Sequence, residues 1–377
     1  MENKHSRVTE SEKRRHRKAV KRNRLLAVLV AVVLVIGVAA FAADRFLSGL
    51  FNKGGEVPQD IRTARELQGD VLNILVCGLD YEEDRTTMLS DVIMYVSLDI
   101  KNNKVSAFQI PRDTYIGDDV PTGGSGKING VYWHGEEENK IMNLVKVIND
   151  KLGLPIDHYV TLDMKAFIAM VDSIDNGLQM YVPYEITLKD KETGKEETII
   201  EEPGWYYVDG KTAEQIVRNR NYPNQDIQRL EVQSYFYAAI IKNFTETLNV
   251  SDFIKIMSRF TQYITTDMHW TKIASIAQFG FGVDYRDMTI IKPSLHGYDV
   301  IKTGNTRYTN VLVCEEENWA ELLNEYCRPH QDSKSADQLK MPNQPPAGEV
   351  VRDHGATRPS VQTIADIMAK SPENDAQ

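Results

Sequence analysis

Two aspartates and five cations stand where they could handle an anion. Asp80 closes the apolar run NILVCGLD and Asp91 opens DVIMYVSLD, so neighbouring strands would carry both carboxylates to one rim of a sheet. Two such carboxylates repel each other and favour a divalent cation, Mg2+ (or Mn2+), whose other ligands are waters and phosphate oxygens. Arg112 follows the run KVSAFQIP, and ligands of α/β sheets gather beyond strand C-termini. Its planar fork suits phosphate oxygens, with Asp113 beside it to orient a neighbouring arginine.

The stretch VRNRNYPNQDIQRLEVQ, residues 217–233, is denser still in cations. On a helix Arg218 and Arg220 would point ~200° apart, but a chain that unwinds before Pro223 returns side chains two apart to one side. Asp226, Arg229 and Gln233 recur at helical spacing and share one face of the next helix, with Asp226 in its first turn, where negative charge is favoured. Two guanidinium groups on an extended segment and a third on the helix behind it would make a concave cationic pocket. Taken singly, each arginine reads equally well as a solvated charge, and Asp80 and Asp91 read more readily as strand-end turn aspartates.

Other chemistries fit less well. GGSGK at 123–127 lacks the Gly and Ser/Thr of a phosphate loop, because Pro121 and Ile128 occupy those places, and it reads as a flexible loop leading to Lys127. The eight histidines show no metal-ligand spacing, and no Gly-x-Ser-x-Gly elbow occurs. Cys77, Cys314 and Cys327 are too scattered for a disulfide framework or a zinc site, although Cys314 and Cys327 flank a predicted helix and could pair in an oxidising compartment.

The elements that must position these residues follow from periodicity. Strands are predicted at 73–79, 91–99, 104–111, 178–182, 288–295 and 307–314, and a short apolar stretch lies at 158–162. Helices are predicted at 136–152, 163–174, 211–219, 226–248, 251–263, 270–279 and 316–326, with an exposed hairpin or loop at 189–202. The expected fold is α/β, a layered mixed β-sheet flanked by helices, over residues 69–330. Residues 331–377, dominated by polar residues and proline, predict a disordered tail with at most a helical turn or two at 361–369.

Upstream, residues 1–24 hold ten Lys/Arg against three Glu, which leaves −17 on residues 25–377, the whole-chain −10 less this +7. Such a body argues against nucleic acid as a partner. Residues 25–43, LLAVLVAVVLVIGVAAFAA, are uncharged, and at ~1.5 Å per residue they nearly match a ~30 Å hydrocarbon core. The expectation is a single-pass anchor in the cell membrane, with a cytoplasmic basic arm, a tether at 44–68 and an extracellular main domain. A cleaved signal peptide, ending near Ala40-Phe41-Ala42, is the alternative.

In this order, NILVCGLD, SDVIMYVSLD, IPRDTYI, KINGVYWHG, PIDHYVTLDMKAF and the set RNR, Asp226, Arg229 and Gln233 resemble the LytR-CpsA-Psr family of bacterial cell-envelope glycopolymer phosphotransferases. The resemblance runs from about residue 70 to 245 and more loosely to about 327. It implies transfer of a glycopolymer, such as teichoic acid or capsular polysaccharide, from an undecaprenyl-pyrophosphate carrier to peptidoglycan. It implies that Asp80 and Asp91 are associated with Mg2+, and that Arg112, Lys127, Arg218, Arg220, Arg229 and Gln233 bind pyrophosphate. Asp80, Asp91, Arg112, Arg218 and Arg220 would be catalytic, with Asp113 and Asp226 in support. An apolar groove for the polyprenyl chain is also implied; Phe167, Met170, Phe236 and Tyr237 have the right character, but such residues on helices are more often ordinary core, and none is assigned to the lipid. The chain departs from the family pattern at Leu89 and Val232, where arginine is frequent, and Arg85 is a possible substitute for the first. A non-catalytic envelope protein that binds lipid-linked polymer or a cell-wall partner is the alternative reading.

Overall fold

The computed structural model describes residues 69–371 except 81–86, 175, 190–193, 220–224, 248–263, 270–271, 274, 277–278 and 281–282. The basic arm, the segment 25–43, the tether and the helix expected at 251–263 lie outside the described residues, as does part of that expected at 270–279. No helix among the described residues is long and apolar enough to cross a membrane.

A seven-stranded sheet has the order β14 (Ser360–Thr363), β10 (Thr289–Lys292), β3 (Lys104–Gln109), β2 (Leu89–Asp99), β1 (Val71–Asp80), β4 (His158–Asp163) and β9 (Ile264–Thr266). β1 pairs antiparallel with β2 and parallel with β4, β2 antiparallel with β3, and β3 parallel with β10. β1, β3, β4 and β10 therefore run the same way, and their C-terminal ends share one rim.

Strand β1 is apolar on both sides because it serves two cores: Leu72, Ile74 and Val76 face one, and Leu75, Cys77 and Leu79 the other. Helices α2 (Met164–Asp172), α3 (Gly210–Arg218) and α4 (Gln225–Thr247) cover the first face. Two antiparallel pairs, β5 (Leu178–Val182) with β8 (Gly204–Val208) and, between them in the chain, the hairpin of β6 (Ile186–Lys189) and β7 (Glu196–Ile200), contribute to the same core. Helices α1 (Ile141–Leu152) and α5 (Glu316–Tyr326) cover the second face, with Trp319 fully buried against Phe108. A smaller sheet, β12 (Thr309–Cys314), β11 (Leu295–Lys302) and β13 (Gly348–Ala356), joins the loop after β3 through a bridge between Thr114 and Leu312.

Two expectations need correction, and one pairing left open is decided. The single strand expected at 288–295 is divided: β10 ends at Lys292 and β11 begins at Leu295 in the other sheet, because Pro293 between them offers no N–H to continue a ladder. The tail is ordered through Ser371. β13 pairs with β11, β14 completes an edge of the main sheet, and α6 (Ile364–Ala369) buries Ile364 and Ile367 in the first core. Its start is a capping box, in which Thr363 Oγ1 accepts from the Asp366 N–H and the Asp366 carboxylate accepts from the Thr363 N–H. Composition hides this order because β13 leaves almost every side chain exposed and is held by backbone pairing instead. Finally, Cys314 and Cys327 are free thiols buried in the second core, as is Cys77, and burial pushes all three thiols up.

Candidate functional site

The rim of the β1–β2 hairpin carries a local irregularity. Gly78 pairs with Val92 and Leu79 with Ser90, which leaves Asp91 as an extra residue in β2, a bulge. In a regular ladder Asp91 and Val92 would point to opposite faces; with the bulge both line the cavity that Asp80 also lines. Gly78 lies opposite, and a Cβ there would come within 3.0 Å of the Val92 Cβ. The glycine therefore keeps that stretch of cavity wall open.

Helix α3 supplies the facing wall. Asp209 caps it by accepting from the Thr212 N–H at 2.7 Å. Gly210 lets it lie against α2, since a Cβ at that position would sit 2.2 Å from the Ile168 carbonyl oxygen. The helix ends at Arg218 and Asn219 is extended, with ψ 139°, so Arg218 stands on the helix and not, as the sequence suggested, on an extended segment ahead of Pro223. Arg218 thus occupies the last turn, where the helix dipole favours a cation.

Between sheet and helices lies a cavity of about 650 Å³. Its polar lining includes Asp80, Asp91, Arg112, Arg218, Arg229 and Gln233, and its apolar lining includes Val76, Leu162, Phe167, Val217 and Phe236. Phe167 and Phe236 stack with centroids 4.8 Å apart. Tyr237 also lines the wall, and burial pushes its hydroxyl pKa up.

Two rows of alternating charge meet at the mouth. In the first, Arg112 Nη1 donates to Asp91 at 2.5 Å and Arg112 Nε to Asp113 at 3.4 Å, while Lys127 Nζ donates to the other Asp113 oxygen at 2.8 Å. In the second, Arg218 Nη2 donates to Asp80 at 2.9 Å and Arg218 Nη1 to Glu214 at 2.7 Å, and Lys211 Nζ donates to Glu214 at 2.6 Å. Burial opposes the charge on Arg218, but Glu214 and Asp80 outweigh it and hold the guanidinium above its ordinary range. Burial likewise works against the Glu214 carboxylate, and Lys211 and Arg218 more than offset it, so that carboxyl lies below its ordinary range.

The structure thus gathers six of the residues singled out in the sequence, Asp80, Asp91, Arg112, Arg218, Arg229 and Gln233, on one cavity. Arg229 is buried, and Gln233 ties α4 to α3 by donating to the Val217 carbonyl at 3.3 Å. Asp113 and Lys127 stand behind Arg112 rather than on the cavity wall. Arg85, Arg220 and the side chain of Asp226 lie outside the described residues. Of the four apolar candidates, Phe167, Phe236 and Tyr237 line the cavity, while Met170 is buried in the core beside it. Leu89 pairs with Asp80 and lines the mouth, whereas Val232 is fully buried in the core and is not part of the wall. Sequence reasoning missed Lys211 and Glu214; the available signal was their spacing to each other and to Arg218, three and four residues along one helix face.

A family model described as the LytR_cpsA_psr family matches residues 52–322. The polyisoprenyl-teichoic acid–peptidoglycan teichoic acid transferase TagV of Bacillus subtilis (strain 168) is 26% identical over 305 residues, covering 78% of this chain and 74% of that protein. The like-named transferase TagU of Halalkalibacterium halodurans is 25% identical over 255 residues, 64% of this chain and 80% of its own length. Among solved structures, B. subtilis TagV superposes with a TM-score of 0.55 at 22% identity, covering 69% of this chain and 97% of that one. TagT bound to LIIa-WTA gives 0.51 at 20% identity, covering 76% and 94%. At that level of identity the structural likeness speaks to the fold.

Proposed function

Since this chain belongs to the LytR-CpsA-Psr family, we propose that it is a membrane-anchored phosphotransferase that moves an anionic glycopolymer from an undecaprenyl-pyrophosphate carrier to peptidoglycan. The relatives named as teichoic acid transferases support the reaction class. The observation that carries the reading is a single cavity in which Arg112, Arg218 and Arg229 adjoin an apolar wall. That combination matches an amphiphile with a diphosphate head and a hydrocarbon tail.

The donor set at the rim fits a hard divalent cation. Asp80 and Asp91 offer carboxylate oxygens to one cavity, and among the described residues no cluster of three acidic, His or Cys side chains forms a fuller cage. Mg2+ (or Mn2+), which takes oxygen ligands and, for Mg2+, keeps several waters, suits such a site and would neutralise phosphate charge there. The protein's own groups do the rest. Arg112, Arg218 and Arg229 hold the pyrophosphate oxygens and receive the charge that develops as the bridging P–O bond breaks. Asp80 or Asp91 takes the proton of the attacking peptidoglycan hydroxyl, and the leaving group is undecaprenyl phosphate. No ATP enters, because the bond that breaks already carries the driving energy.

The test is Arg112→Ala in the full chain, assayed for polymer transfer from lipid-linked donor to peptidoglycan, with circular dichroism to check folding. A loss of about 100-fold or more is expected, the scale of removing one transition-state donor. Chelation of divalent cations should stop the wild-type reaction in the same assay. Unchanged transfer by a folded variant overturns the proposal.

A further inference from the structure

We infer that Glu214 is a positioning residue that keeps the Arg218 fork aimed into the cavity when Asp80 turns to a cation. The inference rests on the reading above and adds to it a residue outside the set singled out in the sequence. Arg218 divides its two terminal nitrogens between two carboxylates, Nη1 to Glu214 at 2.7 Å and Nη2 to Asp80 at 2.9 Å. Asp80 shares the cavity with Asp91, so a ligand that recruits the aspartates takes an acceptor away from Nη2. A long, rotamer-rich side chain released at one end would swing. The Nη1 contact to Glu214 remains, one turn back on the same helix, and holds the fork while Nη2 passes to a phosphate oxygen.

Packing alone does not explain a carboxylate at this place. Glu214 is 6% exposed, and its helix neighbours Ala213, Ile216 and Val217 are all core residues. An apolar side chain would avoid the desolvation that a buried carboxylate incurs. Lys211, at 2.6 Å and on the more exposed side, offsets the added negative charge. The trio Lys211, Glu214 and Arg218 thus carries one net positive charge, and the cavity keeps its preference for anions.

The experiment compares two probes, farnesyl pyrophosphate and farnesol, by calorimetric titration of the full chain with Mg2+ present. The wild type should bind the pyrophosphate more tightly than the alcohol. Glu214→Ala should shrink that preference by about tenfold, the scale of one charge-assisted hydrogen bond. Glu214→Gln, which keeps an acceptor oxygen, should restore most of it, and farnesol should bind all three proteins alike. If Glu214→Ala does not fold, Glu214→Leu carries the same expectation, since leucine fills the site without an acceptor. A preference unchanged in the folded Ala or Leu variant overturns the inference and leaves the proposed function standing, and so does farnesol binding that falls in step with pyrophosphate binding. A wild type with no preference overturns the proposed function and the inference together.

Discussion

Arg218→Ala removes one guanidinium that satisfies two buried carboxylates, Asp80 with 6% of its side chain exposed and Glu214 with 8%. Breaking a fully buried pair costs about 3–5 kcal/mol, but the Arg218 side chain is 34% exposed and Lys211 stays on Glu214, so water and the lysine screen part of the loss. With that discount the variant should be less stable by about 1–3 kcal/mol at neutral pH. The pH dependence gives the sign. Burial alone would raise the Glu214 carboxyl, and the contacts with Lys211 and Arg218 reverse this and lower it. A carboxyl depressed in the folded state contributes stability that is present above its unfolded pKa of about 4.3 and lost as pH falls through the folded value. Wild type therefore gives up this contribution on acidification, while the variant has little of it to lose. Urea unfolding followed by tryptophan fluorescence, at neutral pH and at about pH 3.5, should show the midpoint gap closing. Adding Glu214→Gln to the variant should recover part of the neutral-pH loss, because it removes the carboxylate left short of a partner. A gap of constant size at both pH values, or no gap at neutral pH, refutes the reasoning.

Gly78→Val should cost about 1–3 kcal/mol, because its Cβ alone meets the Val92 Cβ at 3.0 Å, and should block farnesyl pyrophosphate as well; a stable variant that still binds the probe contradicts the placement of the cavity wall. Burial lowers the Lys292 ammonium to about 8. Its unfolded value is about 10.4, so wild-type stability rises with pH between about 8 and about 10.4. Lys292→Met should accordingly be more stable at pH 7 by on the order of 2 kcal/mol, and thermal melts should show the advantage gone near pH 10.4. Truncation after Gln331 removes β13, β14 and α6 and bares the edge of β10. A lower melting midpoint and aggregation on heating, seen by light scattering, are expected; an unchanged melt shows that the tail is dispensable.

The central sheet was legible because its strands are nearly continuous apolar runs with a polar turn at Lys101-Asn102-Asn103, and α5 covers the very span its periodicity marks, 316–326. That Asp80 and Asp91 share a rim and Arg112 follows a neighbouring strand was legible from strand-end positions, whereas Arg218 joins them from the last turn of α3 and not from the extended segment the sequence suggested. The bulge at Asp91 was not, since a one-residue slip leaves the apolar pattern of β2 intact while turning a carboxylate to the other face. Glu214 escaped notice because a charge within a helix is ordinarily read as solvated, and its burial comes from the packing of α2 and α4 around α3. β13 escaped because backbone pairing leaves no mark in composition.

The placement of β14 also bears on the order of assembly. Its pairing partner β10 lies some seventy residues earlier in the chain, and β10 itself zips onto β3 from a further hundred and eighty away. Such distant partners close large loops before they gain contacts, which slows the search. The nucleus should therefore form in the compact β1–β2–β3 meander, whose connections are short, with the opposite margin of the sheet sealed last.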